Sequence, residues 1–156
     1  YKSGESARSI AISLNVDHRT VKRILKSYDV QIKHPGTRNY KLNENIFSKI
    51  DNIESAYWLG FLLADGHLTA KNGIKISLAK YDTHLLIKFA KFVNCDNPKI
   101  HGTKRRHPKA TFLVQSKKIG DDLRSIGFDE WKNGSNSDIL KHIPNELFNH
   151  FIRGYF

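Results

Sequence analysis

Ala56-Tyr57-Trp58-Leu59-Gly60-Phe61-Leu62-Leu63-Ala64-Asp65-Gly66 is the stretch on which the reading of this chain turns. It is too apolar for a surface helix and too short to span a bilayer. Gly60 and Ala64 stand four residues apart, so on a helix they share a face that carries almost no side chain. Such a face lets a second helix approach backbone to backbone, a use of small residues best known from membrane helices. Asp65-Gly66 stops the helix. An aspartate there faces the negative end of the helix macrodipole and is mildly destabilising, a penalty that a bound cation removes. The stretch therefore reads as a packing helix that delivers one carboxylate to a metal. The plainer alternative is a buried helix ended by an Asp-Gly turn, since glycine is the commonest residue just past a helix end.

Residues 58–66 as a run favour the first reading. They resemble the signature helix of the LAGLIDADG homing endonucleases, with Gly60, Ala64, Asp65 and Gly66 on the small, acidic and terminal positions of that motif. The flanking Ala-Tyr-Trp-Leu-Gly-Phe is also a common family form. The resemblance implies an α+β half-domain in the order helix-strand-strand-helix-strand-strand-helix. Its four-stranded antiparallel sheet would form a saddle on the DNA major groove. Two signature helices would pack side by side, each giving one acid to the metals between the scissile phosphates.

Upstream, residues 1–29 read as two short helices. Ala7, Ile10, Ala11 and Leu14 share one face; Asn15-Val16-Asp17 breaks the pattern, and Asp17 can cap the next helix. There Val21, Ile24, Leu25 and Tyr28 share a face opposite a basic one. The pattern resembles a helix-turn-helix, in which the second helix enters the major groove. His18, Arg19 and Arg23 are then candidates for base edges, and Lys22 and Lys26 for phosphates; a helical hairpin with a solvated basic face is the plainer reading. Residues 30–50 read as a basic linker marked by Pro35-Gly36. Asp51 and Glu54, three apart, suggest a capping box for the signature helix.

Downstream, residues 51–142 read as the half-domain. After Gly66 the period changes to two: Leu68, Ile74, Ile76 and Leu78 on one face, His67, Thr69, Lys71, Lys75 and Ser77 on the other, with a turn at Asn72-Gly73. A helix follows with Leu85, Leu86, Phe89, Ala90, Phe92 and Val93. A second strand pair spans about 99–115, turning near Pro108; Ala110, Phe112 and Val114 alternate with Lys109, Thr111, Leu113 and Gln115. Then comes a helix over about 117–126, ended by Gly127. The polar face would offer Lys99, His101, Lys104, Arg105, Lys109, Thr111 and Gln115 to a ligand; Arg105 and Arg106 suit guanine edges or phosphate, and Gln115 suits adenine.

Residues 143–156 start a further helix with Pro144 in its first turn. Its end is similar to the opening of a second signature helix. Aligning Gly154 with Gly60 puts the matching acid three residues past Phe156, so the chain is expected to be part of a longer single-chain protein. In that case it binds duplex DNA without cutting both strands by itself. A monomer is expected for the longer protein; whether the present chain dimerises stays open.

Carried over from the resemblance, Asp65 is a ligand of Mg²⁺ or another divalent ion, with the Gly66 or Ala64 carbonyl nearby. Lys80 and Lys132 are candidate basic groups for the phosphate, each weighed against plain surface charge. The eight histidines form no zinc-like cluster with the single Cys95, and no phosphate-cradling glycine loop is present.

The chain has 156 residues and a formal net charge of +11, with a pI of about 9.8. That balance selects a polyanion, nucleic acid first and anionic membrane second. No apolar run is long enough to cross a bilayer. One cysteine cannot form an internal disulfide, which favours an intracellular, reducing setting; the family resemblance implies the cytoplasm of a bacterial or phage-infected host, or an organelle. Two non-cleaving alternatives remain on the same fold: a DNA-binding regulator and an RNA-binding maturase. Asp65 favours the nuclease, because a pure binder gains nothing from an acid beside phosphates.

Overall fold

The computed structural model describes residues 6–32, 40–103 and 108–156. The chain divides into two compact units, Tyr1–Thr37 and Arg38–Phe156. It is an α+β protein, with seven α-helices and one four-stranded antiparallel sheet among the described residues.

The first unit holds α1 (Ala7–Ser13) and α2 (His18–Ser27). Asp17 caps α2 as its position suggests, accepting from the Arg19 N–H at 2.7 Å. Asn15 turns the chain between the helices with a positive φ of 50°, a conformation asparagine tolerates. Ala7, Ala11 and Val21 are buried where the helices meet, with Ile10 and Leu25 packed on them. Leu14, Ile24 and Tyr28, expected on the apolar faces, are exposed.

The second unit begins earlier than sequence composition suggests. Residues 40–50 fall in the expected linker but pack on this unit's core: Phe47 and Ile50 are buried. The Asn43 N–H donates to Val93 O at 3.0 Å, and Tyr40 Oη accepts the Gln115 N–H at 2.7 Å. Residues 33–39, including Lys33-His34-Pro35-Gly36, lie outside the described residues.

α3 (Ile53–Asp65) is the central helix, buried nearly throughout its length. Its capping box is one residue out of the expected frame. Asn52 accepts the Ser55 N–H at 2.9 Å, and Ser55 Oγ accepts the Asn52 N–H at 3.3 Å. Asp51 and Asn52 are equally suited to the cap, so local chemistry alone does not choose between them.

From the end of α3 the chain passes directly into β1 (Gly66–Leu68), then β2 (Gly73–Ala79), α4 (Thr83–Phe92), β3 (Ile100–Gly102), β4 (Lys109–Gln115) and α5 (Lys117–Ser125). The strand order is β1-β2-β4-β3. Register sets Gly66 against Ile76, His67 against Lys75, Lys75 against Leu113, Ser77 against Thr111 and Thr111 against His101. The alternation read from the sequence is realised in β2 and β4, whereas β1 ends at Leu68 and leaves Thr69 and Lys71 in the loop. Leu68, Ile74, Ile76, Ala110, Phe112 and Val114 are buried under the helices.

Aromatic rings fill the layer between sheet and helices: Trp58 lies 5.2 Å from Phe89, and Phe89 lies 6.0 Å from Phe112, all edge to face. Each such pair adds about 0.5–1.5 kcal/mol beyond its buried area.

Two local features differ from expectation. Asn72-Gly73 is not a two-residue hairpin turn. The loop runs over residues 69–72, with Asn72 at a φ of 57°, and Gly73 already belongs to β2. Arg124 of α5 holds that loop, donating to Asn72 Oδ1 and to Thr69 O at 3.0 Å while pairing with Asp129 at 3.0 Å. The second feature is α6 (Phe128–Lys132), a short helix that follows Gly127. Gly127 has a φ of 92°, which suits the absence of a β-carbon.

α7 (Phe148–Tyr155) packs along α3. A β-carbon on Gly60 would collide with the Phe151 carbonyl, and one on Gly154 with the Tyr57 carbonyl. Each glycine thus faces the carbonyl three residues before the other. This reciprocal pattern is what a twofold-related pair of helices produces. Ala64, one turn beyond Gly60, is exposed. No described helix is long and apolar enough to cross a membrane.

Candidate functional site

The site is built where α3 ends. Asp65 is the last residue of that helix and is exposed, although most of α3 before it is buried. Gly66 lets the turn into β1 lie tight against the helix: a β-carbon there would sit 2.6 Å from Leu62 O. Its backbone is extended, with φ −79° and ψ 161°, so close approach and not a left-handed conformation requires glycine. The Gly66 N–H is donated to Leu62 O. Since Gly66 pairs with Ile76, the acid stands at the end of β1 nearest Ile76 and Ser77.

Lys132, the last residue of α6, reaches this helix end. Its Nζ donates to Leu63 O at 3.0 Å and to Ala64 O at 3.1 Å. A lysine on the last carbonyls of a helix satisfies unpaired acceptors and complements the dipole. The ammonium is partly withdrawn from water, and this desolvation lowers its pKa; the nearby Asp65 carboxylate pulls in the opposite direction. The dipole penalty that pointed to a metal is thus offset in part by a lysine of the chain itself. Among the described residues no hydrogen bond and no ion pair closes on the Asp65 carboxylate.

No group of three or more His, Cys, Asp or Glu that could hold a metal occurs among the described residues, so an all-protein cage is not on offer. A hard divalent ion such as Mg²⁺ is commonly held by one or two carboxylates together with substrate phosphates and water. Asp65 suits that role. The Ala64 carbonyl already accepts from Lys132, and Gly66 is buried as the seat of the turn.

Lys80 is exposed and starts a short 3₁₀ turn after β2, three residues beyond Ser77.

The sheet face turned away from the helices carries most of the expected contact residues. His67, Lys75, His101 and Lys109 are exposed there, and Lys71 is exposed at the hairpin loop. Ser77 and Thr111 hydrogen-bond each other at 2.9 Å in the middle of the sheet. Thr69 serves the loop, its Oγ1 accepting the Gly73 N–H at 2.8 Å. Gln115 is exposed at the end of β4. Lys104, Arg105 and Arg106 lie outside the described residues. In the first unit His18, Arg19, Arg23 and Lys26 are exposed along α2, and Lys22 is half-buried.

Sequence reasoning did not single out Arg124, whose partners in the hairpin loop lie about fifty residues away. It placed Leu113 on the polar face without giving it a role. No protein-family model and no curated protein matches the chain.

Proposed function

We propose that this chain is the DNA-recognition and acid-bearing part of a site-specific, metal-dependent DNA endonuclease of the LAGLIDADG type, with an N-terminal helix-turn-helix as a second contact to duplex DNA. The observation that carries the reading is Asp65: an exposed carboxylate with no hydrogen-bond partner among the described residues, at the tip of a buried helix, where a sheet with a basic outer face begins.

Asp65 would hold the divalent ion against a scissile phosphate. When bound, such an ion neutralises phosphate charge and makes water a better nucleophile. Lys132 holds the helix end and keeps a positive charge beside the phosphate position. Lys75, Lys109 and Lys71 would take backbone phosphates or guanine edges, and His67 and His101 flank them. The reciprocal glycine packing of α3 and α7 supports α7 as the counterpart of α3, in line with an architecture of two signature helices.

The test uses duplexes selected from a random pool and protein carrying the complete second motif. Mg²⁺-dependent scission is expected, and Asp65→Asn should lower it by at least about a hundredfold while leaving binding intact, as loss of several kcal/mol of transition-state stabilisation would. Equal cutting by both proteins overturns the role of Asp65. Tight binding with no cutting by either favours a non-cleaving regulator.

A further inference from the structure

The outer face of the sheet is not uniformly polar. Among the described residues, Leu113 is the large apolar side chain left exposed on it, at 40%. It stands directly across from Lys75, which in turn faces His67. Gly73, two residues before Lys75 on the same face, leaves room beside it. The position a β-carbon would take there is 3.1 Å from Leu113 Cδ1, 3.4 Å from Gln115 Cγ and 2.8 Å from Thr69 Oγ1. Leu113 thus leans into the notch over Gly73 with its remaining surface turned outward.

A single exposed leucine is ordinary on a protein surface. Beside a lysine, on a face read as meeting the major groove, it has one natural counterpart. The major-groove edge of a base pair offers donors, acceptors and a single apolar group, the C5-methyl of thymine. Neighbouring Ser77 and Thr111 hydrogen-bond each other across the strands, which occupies one donor and one acceptor of these hydroxyls. We propose that Leu113 packs on a thymine methyl and so fixes a thymine at one position of the bound site; this rests on the duplex-DNA reading above.

The test replaces each thymine of a selected duplex, one at a time, by deoxyuracil, which removes the methyl and keeps the pairing. With the 156-residue chain, one thymine is expected to respond, its replacement weakening binding roughly three- to fivefold, as the loss of one buried methyl does. In Leu113→Ala that thymine should no longer respond, while Leu113→Met, which keeps the volume, should retain most of the effect. Melting curves of both variants check that the fold is kept. If no thymine responds in the unaltered protein, or the same one responds equally in Leu113→Ala, the inference is overturned while the DNA reading stands. Failure to bind any duplex overturns both.

Discussion

Lys132 donates from α6 to the Leu63 and Ala64 carbonyls at the end of α3, close to Asp65. Partial loss of water outweighs the attraction of the carboxylate, so its pKa falls below the ordinary 10.5. The sign follows from linkage. The unfolded chain holds this proton to higher pH than the folded one, so the cost of confining the ammonium is present below the folded pKa and is relieved as pH rises through it. NMR titration of the Lys132 side chain should give a midpoint under 10.5, and Asp65→Asn should push it lower still, because the raising influence is gone. A midpoint that rises in the variant would contradict the arrangement. Asp65 was legible in the sequence because it ends an apolar run in which glycine and alanine recur at helical spacing. The partnership with Lys132 was not, because the two hydrogen bonds join residues 69 and 68 positions apart, and no local period records such a contact.

Between α3 and α7 the main chains themselves are in contact, at Gly60 and Gly154. Gly60→Ala should therefore cost about 1–3 kcal/mol of stability through overpacking against backbone that cannot rotate away. Gly102→Ala is the control: nothing lies within 4 Å of its added carbon, and its effect should stay within about 0.5 kcal/mol. Urea denaturation of the two variants decides the matter, and equal loss would mean the seam is softer than its geometry. Periodicity revealed this helix face but not which helix would cover it, because the contact of Gly60 with Gly154 joins residues far apart in the sequence. The hairpin shows a similar limit. Asn72-Gly73 has the composition of a two-residue turn, yet Arg124 and the Ser116 N–H fasten Asn72 to α5, and Gly73 is drawn into β2. Alternation of period two, by contrast, transferred to β2 and β4, because burial on one face dictates it residue by residue.

Charge is distributed over the two units of the whole molecule: residues 1–37 hold seven lysines and arginines against three acids, and so four of the eleven net positive charges. If both units touch one duplex, affinity should fall steeply with salt, by about 10³–10⁵ between 50 and 200 mM for 6–10 phosphate contacts. Lys22→Ala and Lys26→Ala should each flatten the log–log slope by about one and weaken binding evenly across sequences. Unchanged slopes in fluorescence-anisotropy titrations would take α2 off the DNA. The boundary between the units was only partly legible, since residues 40–50 are rich in polar side chains, while Phe47 and Ile50 are buried in the core and Tyr40, Leu42 and Ile46 pack against it. One further property follows from the way α3 hands over to β1 with no intervening loop. There is no slack between the acid and the surface that would read the bases, so any bending of the strands as a ligand seats is transmitted straight to the carboxylate. A poorly matched sequence would then misplace the acid as well as weaken the grip, and discrimination would be exercised twice by a single deformation.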